Sequence, residues 1–336
     1  MASSLRFPLT TERNAVASSP ATVAAPILDI ISDIDVPRAP ATPTAIRWSE
    51  VFGDQLTRWR EFAAEMPEFP HAAALVSLLG EASDDVIRQL PSGARDALAY
   101  CDDPNISRSR LADTLGKDPA LVLRLLRFAN SAAIGGGQPV LALGGAIARI
   151  GMAGTRSVVL AHYVEGLLSR PGVPYEDMSR KVWEHMITTG PIARHFAPAF
   201  GADREEAFSV ALLHDVGKLV VFDQISALRA RQRSPVVLPT AWLTAFLRAV
   251  HESLGALAAT RWSMGDRAAA AIGDHHRTRP ALGANPLAES IFLAERVDHA
   301  KRGRSELDMS IVVHQGRLSC SAQLASTLMA SCAGDD

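Results

Sequence analysis

The stretch that most restricts what this chain can become is residues 211–222, reading A-L-L-H-D-V-G-K-L-V-V-F. Leu212, Leu213, Val216, Leu219 and Val220 recur at helical spacing, which predicts a helix with a buried face. His214, Asp215 and Lys218 fall inside that apolar run, and Lys218 lies one turn after His214 on the same side. Burying an imidazole, a carboxylate and an ammonium together is costly unless they pair or hold a metal. The fold must therefore bring further polar groups to this segment.

The surrounding chain predicts helices almost throughout. Asp118 is placed to cap a helix that starts at Pro119 and runs over 120–129. Further helical segments follow at 142–149, 154–168, 178–196, 205–223, 240–262, 266–276 and 286–300. Hydrophobic residues make up 48% of the chain but aromatics only 6%, with Ala and Leu prominent, which suits packed helices better than sheets. No alternating pattern interrupts the series, so the core is expected to be all-α. One exception is a short hairpin in which 311–313 and 317–319 flank His314-Gln315-Gly316. A weakly apolar helix over 321–329 closes the chain.

Upstream, Val51, Leu56, Trp59 and Phe62 predict an amphipathic helix over 48–66, ended by Pro67 and Pro70. A second helix is expected from His71 to about Leu90. Together they are too short to bury a core alone, so residues 45–89 read as an extension packed on the main domain. Residues 1–44, rich in Ala, Ser, Thr and Pro, read as a disordered leader. Its one apolar island, 27–34 (I-L-D-I-I-S-D-I), reads as a patch resting on the domain or a docking segment.

Several function classes are excluded. Lys plus Arg number 34 against 36 Asp plus Glu, and no basic helix stands out, so DNA binding is not expected. The apolar stretch 140–160 is broken by Arg149 and Arg156, and the N-terminus lacks a secretory signal, so neither a membrane span nor export is expected. Cys101, Cys320 and Cys332 contain no C-x-x-C pair and fit a reducing cytoplasm. Gly135-Gly136-Gly137 and Gly144-Gly145 lack the residues of a phosphate loop. Arg124 with Arg127, and Arg149 with Arg156, read as solvated basic faces with local ion pairs.

Seven of the ten histidines fall between His185 and His299. His185, His214, His251 and the pair His275-His276 lie on separate predicted helices, which can converge on one cavity. Imidazole nitrogen with carboxylate oxygen suits iron, manganese or zinc, whereas a carboxylate-rich set would suit magnesium. His71, His162, His195, His299 and His314 are expected to be structural or exposed.

In this order, the residues resemble the HDOD family of the HD superfamily, related to the HD-GYP phosphodiesterases. The first half of the likeness rests on Asp118-Pro119-Ala120-Leu121, Leu125 to Ser131, Ala146-Ile147 and Ile150-Gly151. The second rests on Trp183-Glu184-His185, Glu206-Ala207-Phe208, residues 212–219, His251-Glu252, Leu254-Gly255, Trp262 and His275-His276. The resemblance implies an HDOD domain over 90–300, with a family-specific lobe at 90–170, an HD-like lobe at 171–300 and a tail at 301–336. It also implies metal ligands at His185, His214, Asp215, His251, His275 and His276, with iron or manganese favoured over zinc. Lys218 matches a lysine that contacts a phosphate or polarises a leaving group, the implied catalytic residue. The late acidic ligand falls on Glu295, where relatives carry Asp; Asp298 lies one turn further. The D-G-x-G-Y-P stretch of cyclic-di-GMP phosphodiesterases is missing after His276. The implied role is a cytoplasmic bacterial signal-transduction regulator that contacts protein partners and has a nucleotide as a candidate ligand. The alternative is a metal-dependent phosphohydrolase.

Overall fold

The computed structural model describes residues 46–81, 86–131, 138–168, 175–233, 235–278, 284–303 and 309–332. The leader and its apolar island at 27–34 lie outside them. The described residues form helices and contain no strand. None of these helices is long and apolar enough to cross a membrane.

Two helices, α1 (Trp48–Ala64) and α2 (Pro70–Glu81), precede two lobes. The first lobe holds α3 (Ser92–Asp102), α4 (Arg108–Leu115), α5 (Pro119–Ala129) and the long α6 (Leu143–Leu168). The second holds α7 (Glu176–Phe196), α8 (Arg204–Ala211), α9 (Val216–Gln232), α10 (Thr240–Arg261), α11 (Asp266–Ile272) and α12 (Pro286–Lys301). Two short helices, α13 (Met309–His314) and α14 (Ala322–Ser331), follow.

The first lobe is built as its sequence signals require. Asp118 caps α5 by accepting from the backbone N–H of Ala120 (3.0 Å) and Leu121 (3.1 Å), with Pro119 in the first turn. Its other oxygen meets His162 Nε2 at 3.1 Å, giving that histidine a structural partner. At the far end the Asn130 side chain pairs with the Val140 backbone in both directions at 2.8 Å. α6 breaks where two helices were expected to meet: Gly151 sits at φ 73°. The basic faces are locally engaged. Arg124 pairs with Glu165, Arg156 with Asp102, and Arg149 donates to Asn130 and to the Gln138 carbonyl.

The N-terminal extension packs on the second lobe. Trp59 meets Trp242 and Phe246 of α10 edge-on at 5.4 and 5.2 Å, and those two rings stack on each other at 4.9 Å. Gln55 donates to the Ala249 carbonyl and accepts from Ser253. Trp48 packs against Gly273, where a Cβ would come within 2.2 Å of its ring. Arg88 pairs with Asp223 at 2.6 Å, and Trp262 Nε1 donates to the Arg88 carbonyl.

Four expectations are corrected. The helix foreseen over 205–223 is two helices, α8 and α9, separated by a turn at 212–215. The apolar period runs on through that turn because the turn itself is buried, so periodicity alone does not reveal it. The helix foreseen over 266–276 likewise ends at Ile272, and 273–276 form a turn. The helix expected from His71 to Leu90 ends at Glu81, and residues 86–90 are not helical. The hairpin around His314-Gln315-Gly316 is not formed. Gly316, at φ 69°, terminates α13 instead: its N–H donates to the Val313 carbonyl and that of Arg317 to the Val312 carbonyl. A glycine in the left-handed region followed by these two bonds is a helix C-terminal cap, which competes with the hairpin for the same turn residues.

Candidate metal centre

The centre is assembled from helix ends and helix interiors that meet in the second lobe. α9 and α10 cross with backbone almost on backbone. A Cβ on Gly217 would stand 2.1 Å from the His251 carbonyl oxygen, and one on Gly255 would press against Ile272 at 2.8 Å. Only two glycines facing each other allow this approach. It places the turn carrying His214 and Asp215 directly against His251.

Three histidines are oriented by one device. His214 Nδ1 lies 2.7 Å from the Ala211 carbonyl, His251 Nδ1 2.7 Å from that of Leu247, and His275 Nδ1 2.7 Å from that of Ile272. Each Nδ1–H thus donates to backbone, which leaves Nε2 with its lone pair directed into the centre, as a metal ligand requires. The two buried turns are what make the device possible for His214 and His275, since both follow a helix end whose carbonyls are unsatisfied.

His185 uses a carboxylate instead. Its Nδ1 lies 2.7 Å from Asp298 Oδ2, and Asp298 is itself held by Thr188 Oγ1 (2.7 Å) and Arg302 Nε (2.7 Å). Its Nε2 faces His214 Nε2 at 3.3 Å and Glu295 Oε1 at 3.5 Å. Glu295, one turn before Asp298 on α12, is therefore the late acid that enters the centre, and Asp298 is the group that orients His185. His276 completes the set, with Nε2 3.0 Å from His251 Nε2 and Nδ1 3.3 Å from Glu295 Oε2.

Asp215 stands between two groups of histidines. Its Oδ2 is 3.7 Å from His214 and 3.9 Å from His185, while its Oδ1 is 3.5 Å from His251 and 3.7 Å from His275. Oδ1 is buried and makes no hydrogen bond, and the same holds for His275 Nε2. Lys218 Nζ donates to Oδ2 at 2.6 Å. Lys218 thus meets the aspartate of the H-D pair, three residues earlier.

All eight residues singled out from the sequence converge here: His185, His214, Asp215, Lys218, His251, His275, His276 and Glu295. The donor atoms of the seven other than Lys218 form three overlapping triads, each with its atoms within 4.8 Å of one another. Such convergence of nitrogen and oxygen donor atoms, with Asp215 Oδ1 buried and without a hydrogen bond, fits a cation.

The electrostatics agree. Burial opposes charge on His185, but Asp298 and Glu295 outweigh it and raise that ring to about 9. His275 is likewise raised to about 9 against burial, by Asp215 and Glu295. Burial holds His214 and His251 below the ordinary histidine value, with Lys218 adding to the effect on His251. Burial opposes ionisation of Asp215 and Glu295, yet Lys218 for the first and His276 for the second hold them well below the usual carboxylate range.

Other contributors were not foreseen. Glu252 Oε1 accepts the His276 backbone N–H at 3.0 Å, bracing the second turn. Arg317 Nη2 donates to the His276 carbonyl at 2.6 Å. His299, expected in solvent, is half-buried and stacks on His185 with ring centres 5.5 Å apart. Glu252 adjoins a histidine and Asp298 lies one turn from Glu295, so both carried a local signal. Arg317 carried none. His195 and His314 are exposed as expected.

Comparisons with known proteins agree with this architecture. A family model described as the HDOD domain matches residues 87–278. An uncharacterised protein of Treponema pallidum (strain Nichols) is 25% identical over 211 residues, 60% of this chain. That match spans only 40% of the relative's own length. Among solved structures, a provisionally named metal-dependent phosphohydrolase from Shewanella amazonensis SB2B superposes with a TM-score of 0.59 at 21% identity, over 78% of this chain and 98% of that one. A provisionally named signal transduction protein from Marinobacter aquaeolei VT8 superposes with a TM-score of 0.50 at 18% identity, over 77% of this chain and 62% of that one. At such identities the structural likeness speaks for the fold.

Proposed function

This chain belongs to the HDOD domain family, and we propose that it is a signal-transduction regulator whose second lobe binds divalent metal. The observation that carries the metal reading is Asp215, whose two buried oxygens face different groups of histidines, one without any hydrogen bond. His185, His214 and Glu295 would hold an ion on one side of Asp215, and His251, His275 and His276 on the other. A donor set of imidazole nitrogens and carboxylate oxygens, without thiolates, suits iron or manganese, the metals proposed here. A bound divalent ion would supply Lewis acidity toward an anionic ligand. Lys218 neutralises Asp215 and would orient that ligand.

The regulatory reading draws on the family and on the Marinobacter relative's provisional name. It also draws on the first lobe, which exposes Leu123 and Leu141 to solvent where a protein partner could cover them. A second reading, phosphoester hydrolysis, is favoured by Lys218 beside an intact donor set. Metal analysis of the purified chain tests the shared premise: bound iron or manganese is expected, and its absence after growth with both metals would refute it. Loss of Leu123 and Leu141 side chains should abolish partner capture without changing metal content. Turnover of a phosphoester that depends on the same metal, without any partner captured, would favour the second reading.

Two further outcomes follow from the ring environments. His185 and His275 must each lose a proton from Nε2 to act as ligands, and both rings are raised to about 9. The charged rings predominate below that value, so apparent metal affinity should rise with pH up to about 9 and then level. Titrations at pH 6, 7, 8 and 9 check this; a flat profile would contradict it. Asp298→Asn removes the carboxylate that orients His185 and should weaken metal binding roughly 10- to 100-fold. Asp298 is tied to Arg302 as well, so circular dichroism should accompany that measurement.

A further inference from the structure

The N-terminal extension leaves a cleft where it meets the second lobe. Phe52 and Leu56 of α1, Leu79 of α2, Val86 beyond it, and Leu254 and Leu257 of α10 line a space of about 310 Å³. The cleft follows one face of α1 from Ser49 past Gly53 to Arg60, about 16 Å of helix. Gly53 opens it on the α1 side, because a Cβ there would meet nothing within 4 Å. Glycine inside a helix is disfavoured relative to alanine, so packing alone does not explain it. Arg60 stands at the far end, exposed, with Nη2 beside Gly80, where a Cβ would come within 2.7 Å of it. Among the described residues Arg60 makes no ion pair.

The walls decide what can enter. Apolar walls accept side chains, whereas a backbone drawn inside would leave its N–H and C=O groups unpaired. The guanidinium at the end adds a place for a carboxylate. One segment of this chain has that composition and lies just upstream of α1. Residues 27–34 read I-L-D-I-I-S-D-I. Ile27, Ile30, Ile31 and Ile34 stand at the i, i+3, i+4, i+7 spacing by which a segment anchors in an apolar groove, and Asp29 and Asp33 are interleaved with them. Residues 35–45 join Ile34 to Ile46, a reach of up to about 40 Å. That covers the whole cleft, since Ser49 at its near end belongs to the first turn of α1.

We propose that residues 27–34 dock in the cleft between α1, α2 and α10 of their own chain, with isoleucine side chains inside it and the two aspartates toward Arg60. The extension is then a receptor for the leader as well as packing for the second lobe. Most of the lining precedes residue 87, where the family match begins, so cleft and occupant both belong to this chain's own N-terminal part. Neither depends on metal in the second lobe.

Hydrogen exchange of the full chain, read by mass spectrometry on peptides covering 27–34, tests this. In wild type the segment should exchange roughly tenfold or more slowly than the same peptide synthesised alone. Gly53→Leu fills the cleft from α1 and should abolish that protection. Arg60→Glu should weaken it, and Asp29→Arg with Asp33→Arg should restore it in the Arg60→Glu background. Peptides from α10 should keep wild-type exchange in every variant. Arg60 is exposed, so the charge exchange decides the matter if Gly53→Leu disturbs α10. Exchange of 27–34 at the free-peptide rate in wild type overturns the proposal, as does protection left unchanged by either variant. Protection that grows with protein concentration would seat the segment on a second copy and overturn docking within one chain.

Discussion

Asp215→Asn is expected to reduce bound metal at least 100-fold while leaving the chain folded. The substitution keeps the side chain's shape but removes the charge that both groups of histidines face. Glu295 also spans the two groups, with Oε1 toward His185 and His214 and Oε2 toward His276, but Asp215 alone has an oxygen toward both His251 and His275. Lys218 loses its 2.6 Å partner, but with 21% of its side chain exposed it can turn toward solvent. The loss in metal-free stability should then be about 1–3 kcal/mol. Wild type should gain stability on adding manganese, about 2.7 kcal/mol at a hundredfold excess over Kd, and the variant should gain none. Melting curves with and without manganese, together with elemental analysis, read both effects. Metal retained by the variant at the wild-type level would remove Asp215 from the proposed ligands.

Gly217→Ala should act on the fold instead. Its Cβ would stand 2.1 Å from the His251 carbonyl and 2.8 Å from the Gly255 nitrogen, contacts with rigid backbone on both sides. α9 and α10 would have to separate. Overpacking of this kind costs about 3 kcal/mol, only partly offset by about 1 kcal/mol of helix propensity. The midpoint of thermal unfolding should fall by roughly 4–8 °C for a unit of this size. Metal binding should weaken as well, since separation carries His251 away from Asp215. Gly166→Ala, where a Cβ would meet nothing within 4 Å, is the control and should cost nothing comparable. Equal melting temperatures for the two variants would show that the crossing tolerates movement.

The same crossing shows what could be read in advance. The helical class was legible because period and capping act locally: Asp118-Pro119 predicts its helix start, and Gly151 sits where two predicted helices meet. The polar set was legible because an imidazole and carboxylate in an apolar run must be explained by partners. The turns at 212–215 and 273–276 were not, because hydrophobic spacing records burial and not the helix that causes it. Glu295 and Asp298 could not be separated by spacing, since both lie on one face of α12 a turn apart. Only the orientation of the His185 ring, with Nδ1 on Asp298 and Nε2 toward Glu295, distinguishes them. Arg317 was illegible for a further reason. Its position depends on Gly316 ending α13, and that glycine reads equally well as a hairpin turn.

Trp48 resting on Gly273 has a consequence for where this protein begins as a physical object. The family match starts at residue 87, yet the indole of Trp48 forms the floor beneath the turn that presents His275 and His276. A fragment trimmed to the inherited module would bare Trp242 and Phe246 and leave that turn without its support. Inheritance and cooperativity thus draw different borders on the same chain, and the residues that ligate depend on a stretch the lineage signature does not include.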